Sequence, residues 1–232
     1  MDITKELLEQ MRRDFEKSYN GNKRIQHYLK LVKDGKSDYK TADRYAMEVG
    51  IIREQVILGY LPDISPTQFE EVATQVIMPQ LKDNYEITTE FATEVQTILN
   101  QKARIGLKAK KPQFDTDKAG GLVEKFSAAK TTEEASSVIN QNITTFTKGI
   151  VSDAIYDNAT LHYEVGFDPV IRRVAFSGCC KWCTGMAGTY RYEDVKNTGN
   201  DVYRFHANCR CHITYDPRDG TRKINTKTQK EI

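Results

Sequence analysis

Residues 1–178 contain no cysteine; all five cysteines of the chain fall between Cys179 and Cys211. An odd number of thiols in one short stretch is a poor match to a disulfide framework. Long apolar runs are missing as well. No stretch approaches the roughly 18 to 20 apolar residues needed to cross a bilayer, and Met1–Glu6 lacks the apolar core of a signal peptide. The expectation is a protein made in the cytosol, where thiols stay reduced and available to metal. An excess of one charge sign is also lacking: the net charge is +2, which by itself does not indicate nucleic-acid binding. Tryptophan occurs once, as Trp182, inside the cysteine-bearing stretch. With 232 residues, the chain is long enough to bury a core without covalent staples.

That stretch reads Cys179-Cys180-Lys181-Trp182-Cys183 and, after a loop, His206-Ala207-Asn208-Cys209-Arg210-Cys211. Two short clusters of soft ligands separated by a loop outline a zinc site, because zinc takes thiolate sulfur and imidazole nitrogen tetrahedrally, two from each of two close pairs. A redox role for Cys180–Cys183 needs a βαβ context that the pattern does not offer. Ordinary buried thiols do not explain so tight a clustering. The expected ligands of a structural Zn2+ are Cys180, Cys183, His206 and Cys209, with Cys211 the alternative fourth ligand. Cys211 lies two residues beyond Cys209, so along a strand the two share a face. Catalytic zinc needs an open position and a nearby base. Neither H-E-x-x-H nor the deaminase signature occurs, and Glu193 and Asp194 lack motif spacing, so no catalytic residue is assigned and no enzymatic activity is expected.

Apolar periodicity predicts helices over 2–19, 23–33 and 38–58, a helix from Pro66 that meets Pro79, and helices over 85–104, 121–130, 132–141 and 143–165. Phe146, Ile150, Ala154, Asn158 and His162 fall on one stripe of the last, where His162 reads as a core-edge residue and not a ligand. Lys102–Lys111 carries five basic and no acidic residues. This is the solvated end of a helix whose cations suit the dipole, with phosphate contact as the alternative. After Gly166 the pattern changes to short strands at 170–176, 188–192, 202–205 and 209–215. The fold class is α+β: a mostly helical N-terminal region with a small C-terminal zinc-stapled antiparallel β module. The organisation is a helical region over 1–111, a linker over 112–121, helices including a long one over 122–166, the zinc-binding β module over 167–216, and a basic flexible tail over 217–232. Zinc binding contributes on the order of 10 kcal/mol to folding, enough to fix so small a sheet.

A long helix, a strand with basic residues, Cys180-x-x-Cys183, a hairpin of about 20 residues and His206-x-Asn208-Cys209-Arg210-Cys211 together resemble the C-terminal region of the phage head morphogenesis family, the minor head proteins similar to the Mu F protein. The resemblance covers about 143–216. Ala207 stands where the family usually has proline, and Val151-Ser152-Asp153 where it often has an Arg-Thr-Glu-like trio. The resemblance implies a virion component of a tailed phage or prophage, placed in the capsid interior or at the portal vertex after assembly in the host cytoplasm. Its implied partners are the portal protein or the major capsid protein, with packaged DNA as a further contact and neither membrane nor small-molecule substrate. Its implied role is head assembly, DNA packaging or ejection. A zinc-stabilised nucleic-acid-binding protein is the alternative, resting on the basic stretches and on Lys181, Arg204 and Arg210 beside the ligands.

Overall fold

Helices α1 (Ile3–Gly21), α2 (Lys23–Lys33) and α3 (Tyr39–Tyr60) open the chain in this computed structural model, which describes residues 3–217 apart from Thr198, Asn200 and Asn208. Local chemistry sets these boundaries. The Asn22 side chain accepts from the backbone of Arg24 and Ile25 at the start of α2. Asp38 and Thr41 form a reciprocal capping box at the start of α3. Short 3-10 turns at Leu61–Asp63 and Pro66–Gln68 lead to α4 (Phe69–Val72), a π turn at Ala73–Ile77 and the long α5 (Met78–Lys102).

The proline at 79 does not end the helix as its position suggests. It sits in the first turn of α5, directly after the π turn. The wider hydrogen-bonding step there relieves the ring clash and the missing N–H that proline brings to a regular helix. Helices α6 (Thr116–Ser127), α7 (Thr132–Ile139) and α8 (Asn142–Glu164) follow, α6 and α7 capped by Asp115 and Thr131. Residues 116–121 are thus the first half of α6.

Strands β1 (Val170–Val174), β2 (Gly188–Arg191) and β3 (His212–Asp216) form an antiparallel sheet in the order β2-β1-β3, with a short helix α9 (Lys181–Gly185) before β2 and α10 (Tyr192–Val195) after it. Ile171 pairs with Tyr190 on one side and Tyr215 on the other. The expected strand at 202–205 is instead a 3-10 turn at Asp201–Tyr203. The cause is remote: the Arg173 guanidinium takes the carbonyls of Val202 and Arg204, each at 2.7 Å, and Ser152 Oγ donates to the Tyr203 carbonyl at 2.7 Å. Three consecutive carbonyls committed to side chains are lost to a ladder. Cys209 and Cys211 precede β3 and do not share a strand face.

Helices α3, α5 and α8 form the centre. Gly50 on α3 marks the closest approach, for a Cβ there would stand 2.6 Å from the Thr144 Cα of α8. Two apolar clusters fill the interior. One gathers Met11, Ile57, Phe69, Ile77, Phe126 and Ile143. The other joins Tyr45, Val49, Phe91 and Ile155 of the helices to Ile171, Ile213 and Tyr215 of the sheet. Helices and strands are therefore segregated along the chain, as α+β implies, yet both contribute to the second of these clusters.

Several polar side chains inside the core form paired networks. Arg53 donates to Asn84 and Gln80 and lies 3.5 Å over the Phe15 ring. Tyr39 donates to Gln96, which donates to Asn100, which donates to the Leu107 carbonyl. That last bond, with Asn158 gripping the Lys110 backbone from both sides, straps the basic stretch 104–111 along α5 and α8 as irregular chain. α5 stops at Lys102, just short of the expected 104, and Arg104 takes a positive φ of 57°. The basic tail from Arg218 onward lies outside the described residues. Among those described, no helix is long and apolar enough to cross a membrane.

Candidate metal centre

Cys180 caps α9: its Sγ accepts from the Cys183 backbone N–H at 3.4 Å. This turn brings the two sulfurs of the Cys-x-x-Cys pair to one side of the knuckle. A second tight turn, Cys209 N–H to the His206 carbonyl at 3.0 Å, does the same for His206 and Cys209. The two turns face each other. His206 Nε2 lies 3.3 Å from Cys180 Sγ and 3.0 Å from Cys183 Sγ, and Cys183 Sγ lies 3.6 Å from Cys209 Sγ. The ligand atoms of Cys180, Cys183 and His206 all lie within 4.8 Å of one another, and so do those of Cys183, Cys209 and Cys211. A tetrahedral zinc with bonds of about 2.3 Å to sulfur and about 2.0 Å to nitrogen has edges of about 3.8 Å between sulfurs and about 3.5 Å from sulfur to nitrogen.

The donor chemistry fits a metal. His206 Nδ1–H donates to the Ala207 carbonyl at 2.6 Å. That bond fixes the tautomer and leaves the Nε2 lone pair aimed at the sulfurs. The Ala207 carbonyl also holds the His206 pKa above its ordinary value. A hydrogen bond from the Cys211 thiol pulls Cys209 down to about 4 and pushes Cys211 up. The Cys183 backbone N–H lowers Cys180, whereas burial raises Cys183 to about 11. The thiolate form, which binds metal, is thus favoured at Cys209, and the shift at Cys180 runs in the same direction. A zinc would take Cys180, Cys183 and His206, which close on one another, with Cys209 as the expected fourth ligand; Cys209 Sγ lies 3.6 Å from Cys183 Sγ but is grouped with Cys183 and Cys211, not with Cys180 and His206.

Two buried cations that motif reasoning passed over surround the sulfurs. Lys148 of α8, 2% exposed, donates to the carbonyls of Cys209 at 3.0 Å and Cys211 at 2.9 Å, and pairs with Asp43 of α3 at 3.4 Å. Arg173 of β1, 1% exposed, reaches Cys209 Sγ at 3.9 Å and lies 5.0 Å over the Trp182 ring. Burial raises the Asp43 pKa to about 6 despite the facing ammonium. Alternation in the strand offered the one available signal, since Ile171 and Arg173 must face the same side. His162 is fully buried and shares a hydrogen bond with the Tyr215 hydroxyl, its ring stacked on that tyrosine with centroids 5.7 Å apart; it belongs to the core.

Comparison with curated proteins and with solved structures gave no match. A family model described as VG15 protein matches residues 53–230. The match runs from the middle of α3 through the metal centre, so it takes in helices that the cysteine motif alone does not reach. By this match the chain belongs to the VG15 protein family, a family of phage proteins.

Proposed function

We propose that this chain is a minor head protein of a tailed phage or prophage, associating with the portal or procapsid and aiding head assembly, DNA packaging or ejection. The observation that carries this reading is the meeting of Cys180-x-x-Cys183 with His206 and Cys209 at one donor cluster, within a chain of a phage family. That is the motif on which the resemblance to the Mu F-like head morphogenesis proteins rests. The metal acts structurally in this reading. Four protein ligands leave no coordination position for water, and water is what a hydrolytic zinc needs. The small sheet then becomes a rigid surface mounted on the helices, suited to docking and not to catalysis. The test is mass spectrometry of purified virions together with affinity capture on a tagged copy of the chain. Presence in virions and co-purification of portal support the proposal; virions free of the protein would remove it.

The exposed face of α9 favours a second reading, a zinc-stabilised nucleic-acid-binding protein. Trp182 is 37% exposed, beside the exposed Lys181, the pairing of aromatic and cation on which single strands stack. A DNA affinity that falls steeply with added salt supports this reading, and no binding at low salt excludes it.

A further inference from the structure

The single-zinc reading leaves two thiols unemployed, yet both belong to the same cluster. Cys211 is fully buried, and its sulfur lies within 4.8 Å of those of Cys183 and Cys209. Cys179, the residue before the knuckle, places its sulfur 3.6 Å from that of Cys211. All five cysteines are free. With His206 the cluster offers six donors, more than one tetrahedral ion can use.

From these distances we infer that the centre holds two zinc ions that share the edge between Cys183 Sγ and Cys209 Sγ. The inference rests on the zinc reading above and extends it. Cys180 and His206 complete the first tetrahedron, Cys179 and Cys211 the second. Six donors, two of them bridging, give each ion four ligands, and thiolate sulfur has the lone pairs to bridge. The donors fall into two groups, Cys180–Cys183–His206 and Cys183–Cys209–Cys211, each within 4.8 Å and joined at Cys183, and three of the edges such a pair requires already stand near their ideal lengths. The shared edge is 3.6 Å. The outer edge of the first ion, Cys180 Sγ to His206 Nε2, is 3.3 Å, and that of the second, Cys179 Sγ to Cys211 Sγ, is 3.6 Å. Ideal values are about 3.5 Å for the mixed edge and about 3.8 Å for the sulfur edges.

The surroundings of the two halves are alike. Each outer knuckle sulfur receives one backbone N–H: Cys180 from Cys183 at 3.4 Å and Cys179 from Phe176 at 3.2 Å. Such a bond orients and steadies a thiolate ligand. A single-ion site gives no reason for the bond at Cys179. The charge also balances. Thiols give up their protons on binding, and five thiolates with two divalent ions leave a single net negative charge. Lys148 and Arg173 face it from opposite elements, α8 and β1. The same arrangement accounts for the sequence ambiguity between Cys209 and Cys211: both are ligands, one bridging and one terminal.

The test is native mass spectrometry and elemental analysis of the full chain, purified with reductant and loaded with zinc salt. Two zinc ions per chain are expected. Cys179→Ser and Cys211→Ser should each carry one, as should Cys180→Ser, all three with an unchanged circular dichroism spectrum. A wild-type chain that takes one zinc overturns the paired centre and leaves the single-ion reading standing. One zinc together with the two-hydrogen mass loss of a Cys179–Cys211 disulfide overturns it too. A chain that takes none overturns both. Cobalt(II) provides a second readout on the wild type, free of any folding effect of mutation. Two cobalt ions bridged by thiolate couple magnetically and lose paramagnetic resonance intensity on filling the second position. Full intensity from both ions, as from isolated sites, overturns the bridge.

Discussion

The Lys148 ammonium stands 3.0 Å from the Cys209 carbonyl and 3.4 Å from the Asp43 carboxylate. One buried side chain of α8 thereby ties the second metal-binding turn to α3. Replacing it with methionine keeps the bulk but leaves Asp43 buried without its partner and two carbonyls without donors. Breaking a buried pair in this way costs about 3 to 5 kcal/mol. We expect Lys148→Met to lower the urea midpoint of the zinc-loaded chain accordingly, and the double variant with Asp43→Asn to recover part of the loss.

Arg173 tests the positioning of the second turn. Its guanidinium holds the Val202 and Arg204 carbonyls just ahead of His206. Arg173→Met alters no ligand, yet should weaken zinc binding by about 10- to 100-fold, the range for groups that orient ligands. Competition against a chromophoric chelator measures it. Unchanged affinity would show that His206 is placed without Arg173.

Gly50 and Gly59 form a matched pair on α3. A Cβ at Gly50 meets the Thr144 backbone at 2.6 Å, whereas one at Gly59 meets nothing within 4 Å. Alanine is the better helix former by about 1 kcal/mol, so Gly59→Ala should be neutral or stabilising. Gly50→Ala should instead destabilise by about 1 to 3 kcal/mol, the usual cost of overpacking. Thermal melts of the two variants separate the outcomes.

His162 predicts a pH dependence. Burial lowers its pKa from 6.5 to about 4, so the unfolded chain binds the proton more readily than the folded one. Its contribution is present above pH 6.5 and is lost as pH falls toward 4, amounting to about 3 kcal/mol at most. Asp43 acts in the opposite sense: its pKa rises from 3.8 to about 6, so its contribution is present at low pH and is lost as pH rises through that window. The diagnostic variant is therefore His162→Leu. Its stability should change less between pH 7 and pH 5 than that of the wild type, read as urea midpoints at saturating zinc. An equal change in both proteins would contradict the assignment.

The parts of the fold legible in the sequence were those set by local rules. Apolar periodicity located most of the helices, and the capping residues Asn22, Asp38 and Thr131 act within three residues of their targets; the start of α6 at Thr116, capped by Asp115, falls instead in the stretch expected to be linker. Cys180–Cys183 and His206–Cys209 were legible for the same reason, as each pair closes its own turn. What could not be read depends on distant partners. The expected strand at 202–205 failed because Arg173, some thirty residues upstream, claims its carbonyls. The expected break at Pro79 failed because a π turn precedes it. The pairing of Asp43 with Lys148 joins helices whose proximity only the assembled core creates.

The central claim is that metal held by Cys180, Cys183, His206 and Cys209 fixes the small sheet on the helical body. Hydrogen exchange read by mass spectrometry, on the zinc-loaded chain and after a strong chelator, tests it most directly. Loss of metal should speed exchange in peptides covering 176–186 and 201–216, while those of α3, α5 and α8 keep more of their protection. A chain that carries no metal when purified under reductant, or one whose exchange is the same before and after chelation, would contradict the account.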